Sequence, residues 1–597
     1  MLEILGRHIA KKFPEKLGVF FLPKLNWKIK DIRNHVGVID GVVAPSLVLT
    51  NAHYLHSIFK TWMHGNIWIL GDRIVYVGSE MPKNLEGTEV VNVEGKKVVP
   101  GYIEPHVHPF QLYNPLTFAD YAAQLGTTTF ISDNAEFIKM MDNVTAFRFL
   151  NELHELPFSY YWWARFDSQS ERENEGEMFS NETVLDWLNH PDVLLGGELT
   201  GWPRVMQGDD LMLSWIQQAK QNGKKVEGHF PGASERTLAR MRLFGVDGDH
   251  EAMTADEVEL RLLHGYAVTI RYSSIRPDLP SILKDIVDRG HNVFDHLMMT
   301  TDGSTPSFHL DGVIDKCITA AIEAGVKPID AYLMASYNVA KYYNMSTLHG
   351  VIGTGRYANI NILQDELSPN PVSVISKGVW LKRDGQKVFD LNGVDFSSFG
   401  KLDIDFDLKD EDFQFSSRIG IEMVNDVITK PYSITANRES KTLPIGTDES
   451  FLIMIDRHGK WHINTMIKGF DTSIEGFATS YSNTGDIILI GKSIEAMKLA
   501  FQKLKEVNGG IILVENGEVV SQIELPIGGF TSMDSVEQVI EKELHLKQAV
   551  RERGYVHSDV IYTLLFLQST HLPYIRVTQV GIFDVMKNKV MLPSVMR

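Results

Sequence analysis

Across residues 34–99, apolar and polar positions alternate in short runs broken by turn residues. This is the period-2 pattern of half-buried strands. Gly65–Leu70 and Arg73–Gly78 flank Gly71-Asp72 and predict a hairpin. From Lys97 onward short aliphatic or β-branched runs alternate with longer stretches of helical period. The expected strands are Val98–Ile103, Thr127–Ser132, Phe158–Arg165, Val193–Leu199, Lys225–Phe230, Val246–Asp249, Ala267–Tyr272 and Asn292–Thr300. Eight βα units in about 250 residues is the count of a (β/α)8 barrel, an α/β fold. A doubly wound sheet would show fewer strands and a glycine fingerprint after the first. Residues 351–405 return to short strand patterns. A charged, aromatic stretch, Lys401–Gln414, precedes a further α+β region over 417–597.

Composition narrows the chemistry. The chain has 597 residues, 44% hydrophobic and 22% charged, as in ordinary globular proteins. The net charge of −18 argues against a nucleic-acid partner, since phosphate binding needs a basic field. The single cysteine, Cys317, excludes an intramolecular disulfide and a cysteine-based metal cluster. Any metal site must come from the 21 histidines and the carboxylates. No apolar run reaches the length of a membrane span. Residues 1–18 read as a short amphipathic helix without the apolar core of a secretory signal, so a cytoplasmic location is expected.

The sharpest motif is His106-Val-His108 at the end of the first expected barrel strand. Residues i and i+2 of a strand face the same way, so both imidazoles point together from the end where barrel active sites lie. Glu198, His229, His250 and Asp302 end the fourth, fifth, sixth and eighth strands. Each alone reads as a cap or turn residue; together they put six metal-competent side chains on five strand ends. Four histidines with two carboxylates suit manganese, iron or zinc better than calcium or magnesium. Six ligands exceed one tetrahedral ion with an open position and match a pair of ions about 3.5–4 Å apart. Glu198 is then the expected bridge, a bridging water the nucleophile, and Asp302 both ligand and proton acceptor. Trp162-Trp163, in the third strand, reads as barrel packing.

The six-residue pattern resembles the amidohydrolase superfamily, metal-dependent hydrolytic barrels whose first strand carries His-x-His. Gly228-His229-Phe-Pro231-Gly232 and Asp249-His250-Glu251 are similar to motifs of the bacterial adenine deaminases. So are Asp456-Arg457-His458-Gly459, Ile467-Lys468-Gly469-Phe470 and Glu524-Leu-Pro-Ile-Gly528-Gly-Phe in the last domain. Gly350–Ile360 resembles the superfamily's return from the barrel into a small β-sandwich shared with the N-terminal strands. The resemblance implies a helical segment over 1–33, a composite sandwich from 34–99 and 351–405, a barrel over 100–350 and a C-terminal domain over 410–597. It implies hydrolysis of adenine to hypoxanthine and ammonia with a purine base as substrate. Glu251 would contact the ring or orient its neighbour, and Arg271 would line the pocket or form an ion pair.

The departures from that family lie around the ligands. Its His-x-His is followed by Ile-Glu-Ser-Ser, where this chain has Pro109-Phe-Gln111-Leu. Its Asp-Pro-His-Glu is Asp133-Asn-Ala-Glu136 here, and its Asp-Arg-His-Pro begins Asp302-Gly-Ser-Thr. Its C-terminal Ala-His-Asp-Ser-His-Asn is Tyr481-Ser-Asn-Thr-Gly-Asp486. Two further readings therefore stay open: hydrolysis of another aminated heterocycle, cyclic amide or N-acyl group, and a non-catalytic binding protein on the same barrel. Self-association is expected, of an order that no sequence feature sets.

Overall fold

The computed structural model describes residues 28–391 and 393–597; the amphipathic helix expected over residues 1–18 lies outside them. The first described element is a helix, Ile29–Ile39, followed by β1 (Leu47–His56), β2 (Thr61–Leu70), β3 (Arg73–Gly78), β4 (Glu89–Asn92) and β5 (Lys97–Pro100). The chain then enters the barrel through β6 (Tyr102–Val107), β7 (Thr127–Ser132), β8 (Ser159–Ala164), β9 (Val193–Leu199), β10 (Lys225–Gly228), β11 (Gly248–Asp249), β12 (Ala267–Arg271) and β13 (Leu297–Thr300). These eight pair in sequence order, all parallel, and a parallel bridge from Val107 to Asp302 closes the ring. All six residues of β6, β7 and β8 are buried, as expected of strands covered on both faces.

Several expected strands shorten by one or two residues at an end, and two change more. The run Val98–Ile103 is two strands, with β5 in the outer sheet and β6 in the barrel. Gly101 makes the break: a Cβ there would meet the Thr128 hydroxyl oxygen at 2.3 Å, and its N–H is held by the Asn359 carbonyl. The last barrel strand begins at Leu297 because Phe294–His296 form a 3-10 turn instead.

After the barrel, β14 (Ile360–Leu363), β15 (Ser373–Ser376), β16 (Val379–Arg383) and β17 (Gln386–Lys387) join β1–β5 in one nine-stranded sheet, with β14 antiparallel to β5. The two flanks of the barrel thus meet side by side. The C-terminal region forms a second nine-stranded sheet packed on the helix Ile494–Glu506, together with helices Val536–Glu552 and Val560–Phe566 and a three-stranded sheet. Its apolar core is continuous with that of the barrel: Phe110 and Phe137 pack against Phe399, and Tyr481 and Phe530 belong to the same cluster. No helix among the described residues is long and apolar enough to cross a membrane.

Trp187, fully buried on the helix Asn181–Asn189, packs against Phe137 and Phe147 and donates to the Asn143 side-chain oxygen at 3.0 Å. Trp187→Ala is expected to cost about 3–5 kcal/mol, read as a lower midpoint in urea unfolding with little change in slope.

Candidate active site

His106, near the end of β6, and His108, just past it, turn toward the same centre. They converge on Asp302: His106 Nε2 lies 3.6 Å and His108 Nε2 3.2 Å from its Oδ1. Asp302 follows β13 with φ of +53°, a conformation that costs a non-glycine residue energy and marks a position held for use. Its N–H donates to the Thr300 hydroxyl at 2.9 Å, and the bridge to Val107 holds it beside β6.

A second cluster forms around Glu198 at the end of β9. His229 Nδ1 lies 2.5 Å and His250 Nε2 3.3 Å from Glu198 Oε1. The other carboxylate oxygen faces the first cluster, 3.8 Å from His108 Nε2. Glu198 therefore spans the groups His106–His108–Asp302 and Glu198–His229–His250; in each of these, and in a third group of His106, Glu227 and His250, the ligand atoms lie within 4.8 Å of one another. Both ring nitrogens of His106 are buried without a hydrogen-bond partner, and Nδ1 of His229, Nε2 of His250 and Oε2 of Glu198, also buried, meet ionic neighbours without forming a well-aligned hydrogen bond. Buried polar atoms so poorly satisfied are costly, and their convergence fits a pair of divalent ions.

Ionic partners fix these ligands. Asp133, ending β7, accepts from His108 Nδ1 at 2.8 Å, from Trp163 Nε1 at 2.8 Å and from Arg165 at 2.7 and 3.0 Å. Such a carboxylate behind a metal-facing histidine sets its tautomer and ring orientation. Burial opposes charge on His108, but Asp133 and Asp302 outweigh it and raise its pKa to about 9. Burial also opposes the charge of Asp133, and Arg165 overrides it and holds the carboxyl well below its usual range. Arg165 is itself fully buried and reaches Glu198 Oε2 at 2.9 Å. Asp133→Asn is expected to weaken metal binding about 10–100-fold, measured by competition with a chelator. Behind His250, Glu227 faces Nδ1 at 3.4 Å; burial pushes its pKa up to about 6.

On the open side, Arg271 Nη1 bonds both Glu251 Oε1 and Asp302 Oδ2 at 2.6 Å, and Arg276 holds Glu251 Oε2 at 3.1 Å. Arg271 thus combines the two expectations made of it, lining the pocket and forming an ion pair. Although buried, Glu251 has its pKa drawn down to about 2, chiefly by Arg271 and then His229. Glu251 Oε1 also lies 3.4 Å from both His229 Nδ1 and His250 Nε2.

Together these side chains floor a cavity of about 190 Å3. Its roof comes from the C-terminal domain through Val427, Tyr562, Leu565, Phe566, His571 and Leu572. Tyr562 Oη donates to the Gly303 carbonyl at 2.5 Å, and the His571 ring stands edge-on to His229 with centroids 5.3 Å apart. Burial, followed by the neighbouring His229, lowers the His571 pKa to about 3.

All six expected metal-ligand residues, with Glu251 and Arg271, come together here. Asp133, Arg165, Glu227, Tyr562 and His571 were not anticipated. A signal existed for Asp133 alone, as a carboxylate at a strand end. Trp163 packs as expected, with its ring 4.3 Å from that of His106, and its N–H also anchors Asp133.

The closed parallel barrel and its paired histidine–carboxylate clusters define a metal-dependent hydrolase of the amidohydrolase type. Residues 97–381 match the amidohydrolase family, and residues 426–589 match the adenine deaminase C-terminal domain. A Bacillus subtilis (strain 168) protein named "Putative adenine deaminase YerA" is 50% identical over 96% of this chain and 99% of its own length. An "Adenine deaminase" from Thermosipho melanesiensis is 28% identical over 94% of this chain and 99% of its own. Among solved structures, a β-aspartyl dipeptidase from Fervidobacterium islandicum AW-1 aligns with a TM-score of 0.47 and 17% identity, over 58% of this chain and 99% of that one. The chain belongs to the adenine deaminase family.

Proposed function

We propose that the protein is a hydrolase that converts adenine and water to hypoxanthine and ammonia. The observation that carries this reading is Glu198, which spans two ligand clusters beneath a small cavity. His106, His108 and Asp302 would hold one divalent ion and His229 and His250 the other, with Glu198 between them. Manganese or iron suits this donor set best and zinc also fits. When bound, the ions supply Lewis acidity and lower the pKa of water at the site.

The chain's own groups carry the protons. Arg271 occupies Oδ2 of Asp302 and turns Oδ1 toward His106 and His108, where the attacking water must lie. Asp302 Oδ1 accepts a proton from that water as its oxygen adds to the amino-bearing ring carbon. The same oxygen returns the proton to the departing nitrogen, which leaves as ammonia. Glu251, clamped by Arg271 and Arg276 as a carboxylate, accepts from the ring nitrogen beside the reacting carbon once that nitrogen carries a proton, as it does in hypoxanthine. The roof from the C-terminal domain excludes bulk water. This reading places the protein in purine metabolism and in the cytoplasm, with a free base as substrate.

The test is ammonia release from adenine by protein loaded with manganese, iron or zinc, alongside cyclic ureides and N-acyl amines. Hypoxanthine formation from adenine, abolished by chelation and restored by the metal, supports the reading. Turnover of the other compounds without adenine overturns it. Metal analysis of the same samples separates an enzyme, near two ions per chain, from a binding protein that holds none.

A further inference from the structure

Two polar side chains outside the proposed chemistry meet at the edge of the cavity. Gln111 lies three residues beyond His108, is buried, and lines the cavity. Tyr481, fully buried, comes from the C-terminal domain, and its hydroxyl donates to Gln111 Oε1. With the amide carbonyl engaged, the Gln111 NH2 remains, and it makes no hydrogen bond within the described residues. Its position is set by Gly303: a Cβ there would lie 3.1 Å from Gln111 Nε2 and 3.0 Å from the His108 ring. A pair of donors is thus placed against the first ligand cluster, next to Asp302.

Glu251 touches His229 and His250 of the second cluster, whereas Gln111 lies beside His108 of the first, so the two residues approach the centre from its different clusters. In adenine the reacting carbon has N1 on one flank; on the other, the adjoining ring carbon carries N7. If Glu251 meets N1, the acceptor facing Gln111 is N7. Both residues fall where the chain departs from its family's usual sequence, Gln111 after His-x-His and Tyr481 at the start of the altered C-terminal segment. The two changes meet through one hydrogen bond.

We propose that Gln111 is a substrate-recognition residue whose NH2 donates to N7 of the purine, and that Tyr481 is the positioning residue that orients the amide. This rests on the adenine reading above and deepens it. A purely structural role, tying the barrel to the C-terminal domain, would leave discrimination between purine analogues untouched.

Competitive inhibition by hypoxanthine and by 7-deazahypoxanthine, in which C–H replaces the N7 acceptor, tests it on the metal-loaded full chain. Wild type is expected to bind the deaza analogue about five- to tenfold more weakly, the worth of one neutral hydrogen bond. In Gln111→Leu the two inhibitors should bind alike, both at the level of the deaza analogue in wild type. Gln111→Glu, of nearly the same volume but without the NH2, should behave likewise should the leucine variant not fold. Tyr481→Phe should reduce the discrimination and raise KM more than it lowers kcat, and the double variant should be no weaker than Gln111→Leu alone. Unchanged discrimination in both Gln111 variants would overturn the proposal. Adenine turnover by wild type separates the two levels: its absence defeats the functional reading, whereas turnover without N7 discrimination defeats only the role of Gln111.

Discussion

Asp302→Asn is expected to cut ammonia release about 10²–10⁴-fold, with KM for adenine changed far less. The asparagine keeps the shape, and its Oδ1 can still face His106 and His108, but it cannot accept a proton from water. Its amide would also be exposed to Arg271, which now bonds Oδ2 at 2.6 Å; two donors would then face each other in a buried site unless the amide turns. Turning the amide aims its nitrogen at the metal-ligand histidines. Either orientation weakens the first ion cluster, so metal content should fall along with kcat. Steady-state kinetics and metal analysis on one preparation check both. A variant keeping more than a tenth of wild-type kcat would remove Asp302 from proton transfer.

Glu198→Gln should have an effect of similar size through a different route. A bridge between two cations needs an anionic oxygen toward each, and an amide supplies one neutral oxygen. The loss should exceed the roughly 10–100-fold in affinity that follows from losing a group one step removed from the ion. Bound metal is expected to fall from near two ions per chain to one or fewer. The change also removes one of the two carboxylates around buried Arg165, leaving Asp133 to compensate its charge. An uncompensated buried charge costs about 3–5 kcal/mol, so the partial loss here should appear as a smaller decrease in unfolding midpoint. Retention of two ions by Glu198→Gln would show that Glu198 is not the bridge.

Much of this site was legible along the chain because strand geometry translates spacing into direction. His106 and His108 had to face one way, and Glu198, His229, His250 and Asp302 stood at the ends of the fourth, fifth, sixth and eighth strands, where a parallel barrel collects its functional groups. The partners of those ligands were less visible. Asp133 becomes meaningful only when β7 lies beside β6 and brings its carboxylate to His108. Arg165 ends the expected third strand, yet its pairing with both Asp133 and Glu198 depends on β8 lying between β7 and β9. Arg271 could be assigned two roles from its strand end, and the fold gives it both, because Glu251 and Asp302 converge on the same Nη1.

The C-terminal domain marks the larger limit. Its motifs indicated kinship, but nothing in their order along the chain says that Tyr562 and His571 roof a cavity floored by His229 and Asp302. Tyr481 and Gln111 are 370 residues apart and share a hydrogen bond. Local periodicity determined the barrel, the order of its strands and the six histidine and carboxylate side chains that converge at its strand ends, since each follows from a repeat of two or from a strand's end. The break at Gly101, the ion pairs that hold the ligands and the closing of the site by the C-terminal domain were decided only by the tertiary structure. These depend on which surfaces pack together once the apolar faces are buried, and residues far apart in the chain then become each other's solvent.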